Sequence, residues 1–198
     1  MEQTIEILGT IVGVIYLWLE YRASIYLWVA SIIMPAIYLY VYYTAGLYAD
    51  FGINIYYLLI ALYGWLAWRY GFSLTARDKG KEPHELAITH TPKRVWGKLV
   101  ATYIAAQAAI ALLLIHCTDS TVPLWDSFTT ALSIVGLWML ARKYIEQWWV
   151  WMVVDITSSA LYVYKGLYFT AALYAVYAII SIFGYYKWQR MMPKEKKL

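Results

Sequence analysis

Arg142 to Gly166 reads RKYIEQWWVWMVVDITSSALYVYKG, a run rich in Trp, Val, Ile, Leu and Tyr in which Asp155 stands alone deep among apolar residues. On a helix, Trp148, Trp151, Asp155, Ser158 and Tyr162 follow at i, i+3, i+7, i+10 and i+14. One stripe then carries two indoles, an acid, a hydroxyl and a phenol. An ionisable group in the middle of a membrane-length segment costs at least about 2.5 kcal/mol, so such groups face a bundle interior or a wet cavity and work there. The bland alternative is an Asp that only hydrogen-bonds a neighbouring helix or sits near a membrane surface. The indoles on the same stripe favour function.

The rest of the chain agrees with a membrane setting. At 63% hydrophobic and 14% charged over 198 residues, it is too apolar for a soluble domain. The reading is an all-α, polytopic membrane protein. A span needs about 20 mostly apolar residues, and seven segments can be drawn, at about 5–19, 25–43, 51–69, 97–116, 126–142, 147–164 and 167–187. The first lacks a basic leader and a small-residue cleavage site, so it reads as a retained helix.

The net charge of +4 does not point to nucleic acid, because the charges alternate by loop. Arg22, seven basic residues from Arg69 to Lys98, Arg142 with Lys143, and the basic tail from Lys187 fall on one side. Asp50, Asp119, Asp126 and the single Lys165 fall on the other. The positive-inside rule then gives an N-out, C-in topology. Cys117 is the only cysteine, which excludes an intramolecular disulfide and a CxxC site and suggests an inert packing residue.

The two halves echo each other. Gly46-Leu47-Tyr48 matches Gly166-Leu167-Tyr168, and Tyr63-Gly64-Trp65 matches Phe183-Gly184-Tyr185 in the same register. Upstream, Trp28 pairs with Trp151, Gly13 with Gly136 and Leu17 with Leu140. The plan is 3+1+3: two parallel three-helix repeats joined by one crossing helix, as in transporters with a site near the midplane. It divides the chain into 1–70, a cytoplasmic loop 71–96, a linker helix 97–117, a second repeat 118–190 and a tail 191–198.

The third segment carries a counterpart stripe, Asn54, Tyr57, Ala61, Gly64 and Trp68. Asn54, the only asparagine, can donate and accept toward a ligand edge or a neighbouring helix. Pro35 removes a backbone donor from the second segment and predicts a kink. In the long loop, His84-Glu85 and His90 lack metalloprotease spacing, because Ile88 stands where HExxH needs its second histidine. They read as solvated loop residues, and no metal or cofactor is expected. No phosphate loop, Ser-His-Asp set or catalytic carboxylate pair appears, so an enzyme is not expected. Gln107 among alanines reads as a helix-contact amide.

The run Trp125-Asp126-Ser127, then Leu132-Ser133-Ile134-Val135, Arg142-Lys143-Tyr144, Glu146, Trp148, Trp151 and the acid at 155 resembles the Pnu family of bacterial vitamin transporters. The resemblance covers Gly9 to Trp188. It implies a SWEET-like 3+1+3 fold in the inner membrane, facilitated diffusion of a vitamin, a homotrimer, and trapping of the vitamin by a cytoplasmic kinase. The expected substrate contacts are Asn54, Tyr57, Trp148, Trp151, Asp155, Ser158 and Tyr162.

A carboxylate flanked by indoles suits a cationic ring, by Coulomb attraction and cation-π contact. The resemblance implies amides in carriers of nicotinamide riboside at the places held here by Asp155 and Ala61. That shortens the polar inventory for a ribose and favours thiamine, with nicotinamide riboside as the alternative. A reading of another class, a non-transporting scaffold or sensor, would put the aromatics in interfacial belts.

Overall fold

The computed structural model describes residues 13–44, 48–71 and 86–193. The first segment up to residue 12, the Gly46-Leu47 pair, His84-Glu85 and the tail beyond 193 lie outside the described residues. Among the described residues seven helices follow in order: α1 over 13–21, α2 Tyr26–Thr44, α3 Tyr48–Tyr70, α4 Lys93–Cys117, α5 Pro123–Ala141, α6 Gln147–Tyr164 and α7 Tyr168–Met191. Local chemistry sets their ends. Pro123 opens α5 and Asp126 lies in its first turn, where a missing N–H costs nothing and a negative charge meets the positive end of the helix dipole. α6 closes on Gly166 at φ +75°, with Gly166 N–H donating to Val163 and Leu167 N–H to Tyr162, a Schellman cap that favours glycine. Pro35 lies inside α2 and is buried.

Four of these helices, among the described residues, are long and apolar enough to cross a membrane: Phe51–Tyr70, Lys93–Cys117, Pro123–Ala141 and Tyr168–Met191. In α6, only 18 residues long, Gln147 and Asp155 offset the aliphatic side chains. Large apolar residues such as Leu59, Ile104, Ile156 and Ile179 are more than half exposed, as on a lipid-facing surface. α4 starts at Lys93, four residues before the expected linker helix, because Pro92 at its N-cap has no N–H to leave unsatisfied. Cys117 is exposed at the end of α4, so it is not the packing residue the sequence suggested.

The helices fall into two compact units, Met1–Leu86 and Ala87–Leu198. In the first, the Trp28 indole lies where a Cβ on Gly64 would stand and meets Trp68 edge-on at 5.6 Å and 85°. In the second, the Trp148 indole covers Gly184 and meets Trp188 edge-on at 5.6 Å and 89°. Each unit also has an arginine over a tryptophan, Arg22 on Trp18 at 4.8 Å and Arg142 on Trp138 at 5.9 Å. Each arginine is followed by a left-handed residue, Ala23 at φ 50° and Lys143 at φ 51°. All of these pairs stand 120 residues apart. The interval corrects the upstream matches: by packing, Trp28 answers to Trp148 and not Trp151, and the Gly13/Gly136 and Leu17/Leu140 pairings are three residues out of step.

Within the second unit, α4 and α5 are joined by Gln107, whose Nε2 donates to Ser127 Oγ at 2.9 Å and to the Leu124 carbonyl at 3.3 Å. The strand-like segment before α4 is clasped to the α5–α6 turn. Thr89 N–H donates to the Lys143 carbonyl at 3.1 Å and the Ile145 N–H to the Thr89 carbonyl at 3.0 Å. Glu146 completes the clasp: its Oε2 accepts from the Thr91 N–H and hydroxyl, both at 2.8 Å, and its Oε1 lies 2.6 Å from His90 Nδ1. His90 is thus tied down, not merely solvated.

Burial alone would raise the Glu146 carboxyl, but the His90 and Thr91 hydrogen bonds outweigh it and hold the group below its ordinary 4.5. A lowered folded value stabilises the clasp above the ordinary value and loses that contribution as pH falls through the lowered one. Glu146→Gln is expected to weaken the clasp by about 1–3 kcal/mol. Hydrogen exchange at the Thr91 and Ile145 amides should accelerate in the variant, and in the unmutated protein only under acid conditions. Unchanged protection in both would refute the assignment.

Candidate functional site

α6 carries the expected stripe, and the structure divides its members by role. Trp148 is 1% exposed and its ring is covered by Gly184 and Trp188, so it locks α6 to α7. One turn on, Trp151 packs against Gly136 of α5, whose added Cβ would stand 3.3 Å from the indole; its Nε1 is buried without a partner among the described residues. Asp155 is 6% exposed and Ser158 is buried with it. Ser181 Oγ on α7 donates to Asp155 Oδ2 at 3.4 Å, and among the described residues no cationic side chain is paired with this acid.

α7 contributes more than the sequence suggested. Tyr174, Tyr177 and Ser181 follow at i, i+3 and i+7, one face of the helix that meets α6. Tyr162 stacks at a tilt on Tyr174, centroids 5.1 Å apart, and Tyr174 lies 5.6 Å from Tyr177. Asp155 is thus in contact with the Ser181 hydroxyl, and Ser158 on its own helix and the linked rings of Tyr162, Tyr174 and Tyr177 line the same α6 and α7 stripes. Sequence reading missed Ser181 and Tyr174. The signal was available: at the 120-residue interval, the α3 stripe Asn54, Tyr57 and Ala61 falls on Tyr174, Tyr177 and Ser181.

In the first unit, Asn54 is 9% exposed and Tyr57 half-buried on α3, with Tyr56 and Tyr57 rings 5.9 Å apart. Asn54 and Tyr57 thus belong to one unit, and the α6 stripe to the other. At the end of α6 opposite Trp148, Lys165 Nζ lies 3.4 Å from Asp126 Oδ1, and Ser120 donates to the same carboxylate at 2.9 Å. This ties the α5 start to the α6 end.

Apolar helices of membrane length that enclose a buried acid among hydroxyls and aromatic rings define a multi-pass membrane protein. The comparisons specify the kind. The family described as Nicotinamide mononucleotide transporter matches residues 3–190, and the chain belongs to it: a multi-pass membrane transporter of the Pnu vitamin-transporter family, not an enzyme. It is 23% identical to the nicotinamide riboside transporter PnuC of Escherichia coli (strain K12), over 93% of this chain and 84% of that one. It is 24% identical to the riboflavin/roseoflavin transporter RibM of Streptomyces davaonensis, over 92% of this chain and 83% of the relative. The crystal structure of the vitamin B3 transporter PnuC superposes with a TM-score of 0.64, at 24% identity, covering 92% of this chain and 79% of that one. That likeness establishes the fold.

Proposed function

We propose that this chain carries a cationic B vitamin inward across the bacterial inner membrane by facilitated diffusion, with nicotinamide riboside as its substrate. The observation that carries the reading is Asp155, a buried carboxylate with one serine partner and indole and phenol rings around it. A pyridinium or thiazolium brings the missing positive charge, and the rings take its faces. In the second unit Trp151, Asp155, Ser158 and Tyr162 are the proposed contacts, with Trp148 positioning α6 through its packing on α7; in the first unit, taken by itself, they are Asn54 and Tyr57.

The preference for thiamine gives way on physical grounds. It rested on a polar inventory too short for a ribose, but the α7 hydroxyls of Ser181, Tyr174 and Tyr177 lengthen that inventory. The named relatives also carry nicotinamide riboside or riboflavin. Thiamine remains the second reading because of one feature, the acid at 155 where riboside carriers have an amide. The recurrent Trp–Gly–Trp packing supports an internal repeat, and a SWEET-like 3+1+3 plan, N-out and C-in by its loop charges, belongs to the same reading. A homotrimer and trapping by a cytoplasmic kinase belong to the same reading.

Competition calorimetry on one purified preparation tests the substrate. Nicotinamide riboside is expected to bind at least tenfold more tightly than neutral riboflavin, a gap of about 1.4 kcal/mol. Thiamine binding tenfold more tightly than the riboside would reverse the assignment. Absence of substrate-dependent flux in liposomes would favour a scaffold or sensor.

A further inference from the structure

Gln147 opens α6 fully buried, and neither its Nε2 nor its Oε1 has a hydrogen-bond partner among the described residues. A buried amide with both groups unpaired is disfavoured against a leucine of similar size. The fold does not require an amide there. At the 120-residue interval its counterpart is Leu27 on α2, also fully buried, next to the same Trp–Gly–Trp contact. The position itself is apolar, and Gln147 departs from it at a cost in stability.

Its place on α6 gives the departure a use. Gln147, Trp151 and Asp155 follow at i, i+4 and i+8, one face of the helix, rising about 6 Å per step. The Trp151 Nε1 midway is buried and unpartnered as well. Three polar groups thus climb one face over about 12 Å, longer than a single aromatic ring.

We propose that Gln147 is a second substrate-contacting residue, a polar station at the α6 start that takes the donor–acceptor edge of the vitamin as its cationic ring moves away from Asp155. A glutamine amide presents one carbonyl and one NH2, which pair face to face with a carboxamide. An aminopyrimidine offers the same donor–acceptor pattern, so the station serves either cargo. The Trp151 N–H lies between the two stations as an intermediate donor. This subsite rests on the transport reading given above.

The test uses the full chain and Gln147→Leu, which installs the residue the other unit already tolerates, with nicotinamide riboside and thiamine as probes. The variant is expected to melt about 2–4 °C higher, since two unpaired polar groups leave the interior. Calorimetric affinity should change less than threefold, because Asp155 is intact, while uptake into liposomes falls at least tenfold. Gln147→Asn, with the amide one methylene shorter, should transport at an intermediate rate. Wild-type flux with equal flux in Gln147→Leu overturns the subsite alone. A melting point lowered by several degrees, or failure to fold, overturns it too, because the amide then has a structural partner. Flux at the empty-liposome level from the unmutated protein overturns the transport reading and the subsite together.

Discussion

Asp155→Asn is expected to weaken binding of nicotinamide riboside and thiamine by tenfold to a hundredfold while the fold stays intact. Asparagine keeps the shape of the carboxylate and can still accept from Ser181, whose Oγ lies 3.4 Å from Oδ2. What it loses is the charge. Two unit charges 4 Å apart attract by about 4 kcal/mol at an effective dielectric constant of 20, and part of that is offset by desolvating the incoming cation. A net loss of about 1.4–2.7 kcal/mol corresponds to the stated range. The thermal midpoint should hold or rise, because an acid 6% exposed in an apolar helix no longer has to be accommodated. Riboflavin, which is neutral, provides the internal control and should bind the variant as it binds the parent. Calorimetry that found equal affinity of both proteins for the cationic vitamins would remove Asp155 from the site.

The burial of Asp155 inside the helices was legible because a lone acid in a long apolar run has to turn away from lipid. The helices were legible for the same reason: their apolar runs leave little room for anything else. The register between the halves was harder. Letters alone align Trp28 with Trp151, since both are indoles in similar runs, whereas the fold preserves a contact, an indole laid on a glycine one helix away. Only in the folded chain do Gly64 and Gly184 each floor an indole, with Trp28 and Trp148 as the partners. Ser181 escaped notice because a serine in a membrane helix is ordinary until an acid on the neighbouring helix is found beside it. The Glu146 clasp joins residues 55 and 56 positions apart, and no local pattern announces it. Gln147 lies in the same stretch as Asp155, yet its unpaired amide emerges only once its neighbours are in place.

The same indole-on-glycine contact gives the second large effect, on stability. A Cβ added to Gly184 would stand 2.6 Å from Trp148 Cζ3 and 2.7 Å from two further indole carbons, well inside van der Waals contact. Neither side can yield easily. The glycine is within α7, and the indole is 1% exposed and held edge-on against Trp188. Relief requires α6 and α7 to separate, which exposes apolar surface along the pair. Overpacking of this kind costs about 1–3 kcal/mol, so Gly184→Ala should lower the melting midpoint by roughly 2–4 °C for each of those kcal/mol. Gly64→Ala should behave alike, because the Trp28 ring occupies the corresponding space in the first unit. A smaller ring relieves the clash: Trp148→Phe alone leaves a cavity and destabilises, but combined with Gly184→Ala it should be less damaging than the two single effects added together. Thermal melts of the four proteins in one detergent give the coupling. Strict additivity would mean that the ring and the glycine do not share the space assigned to them.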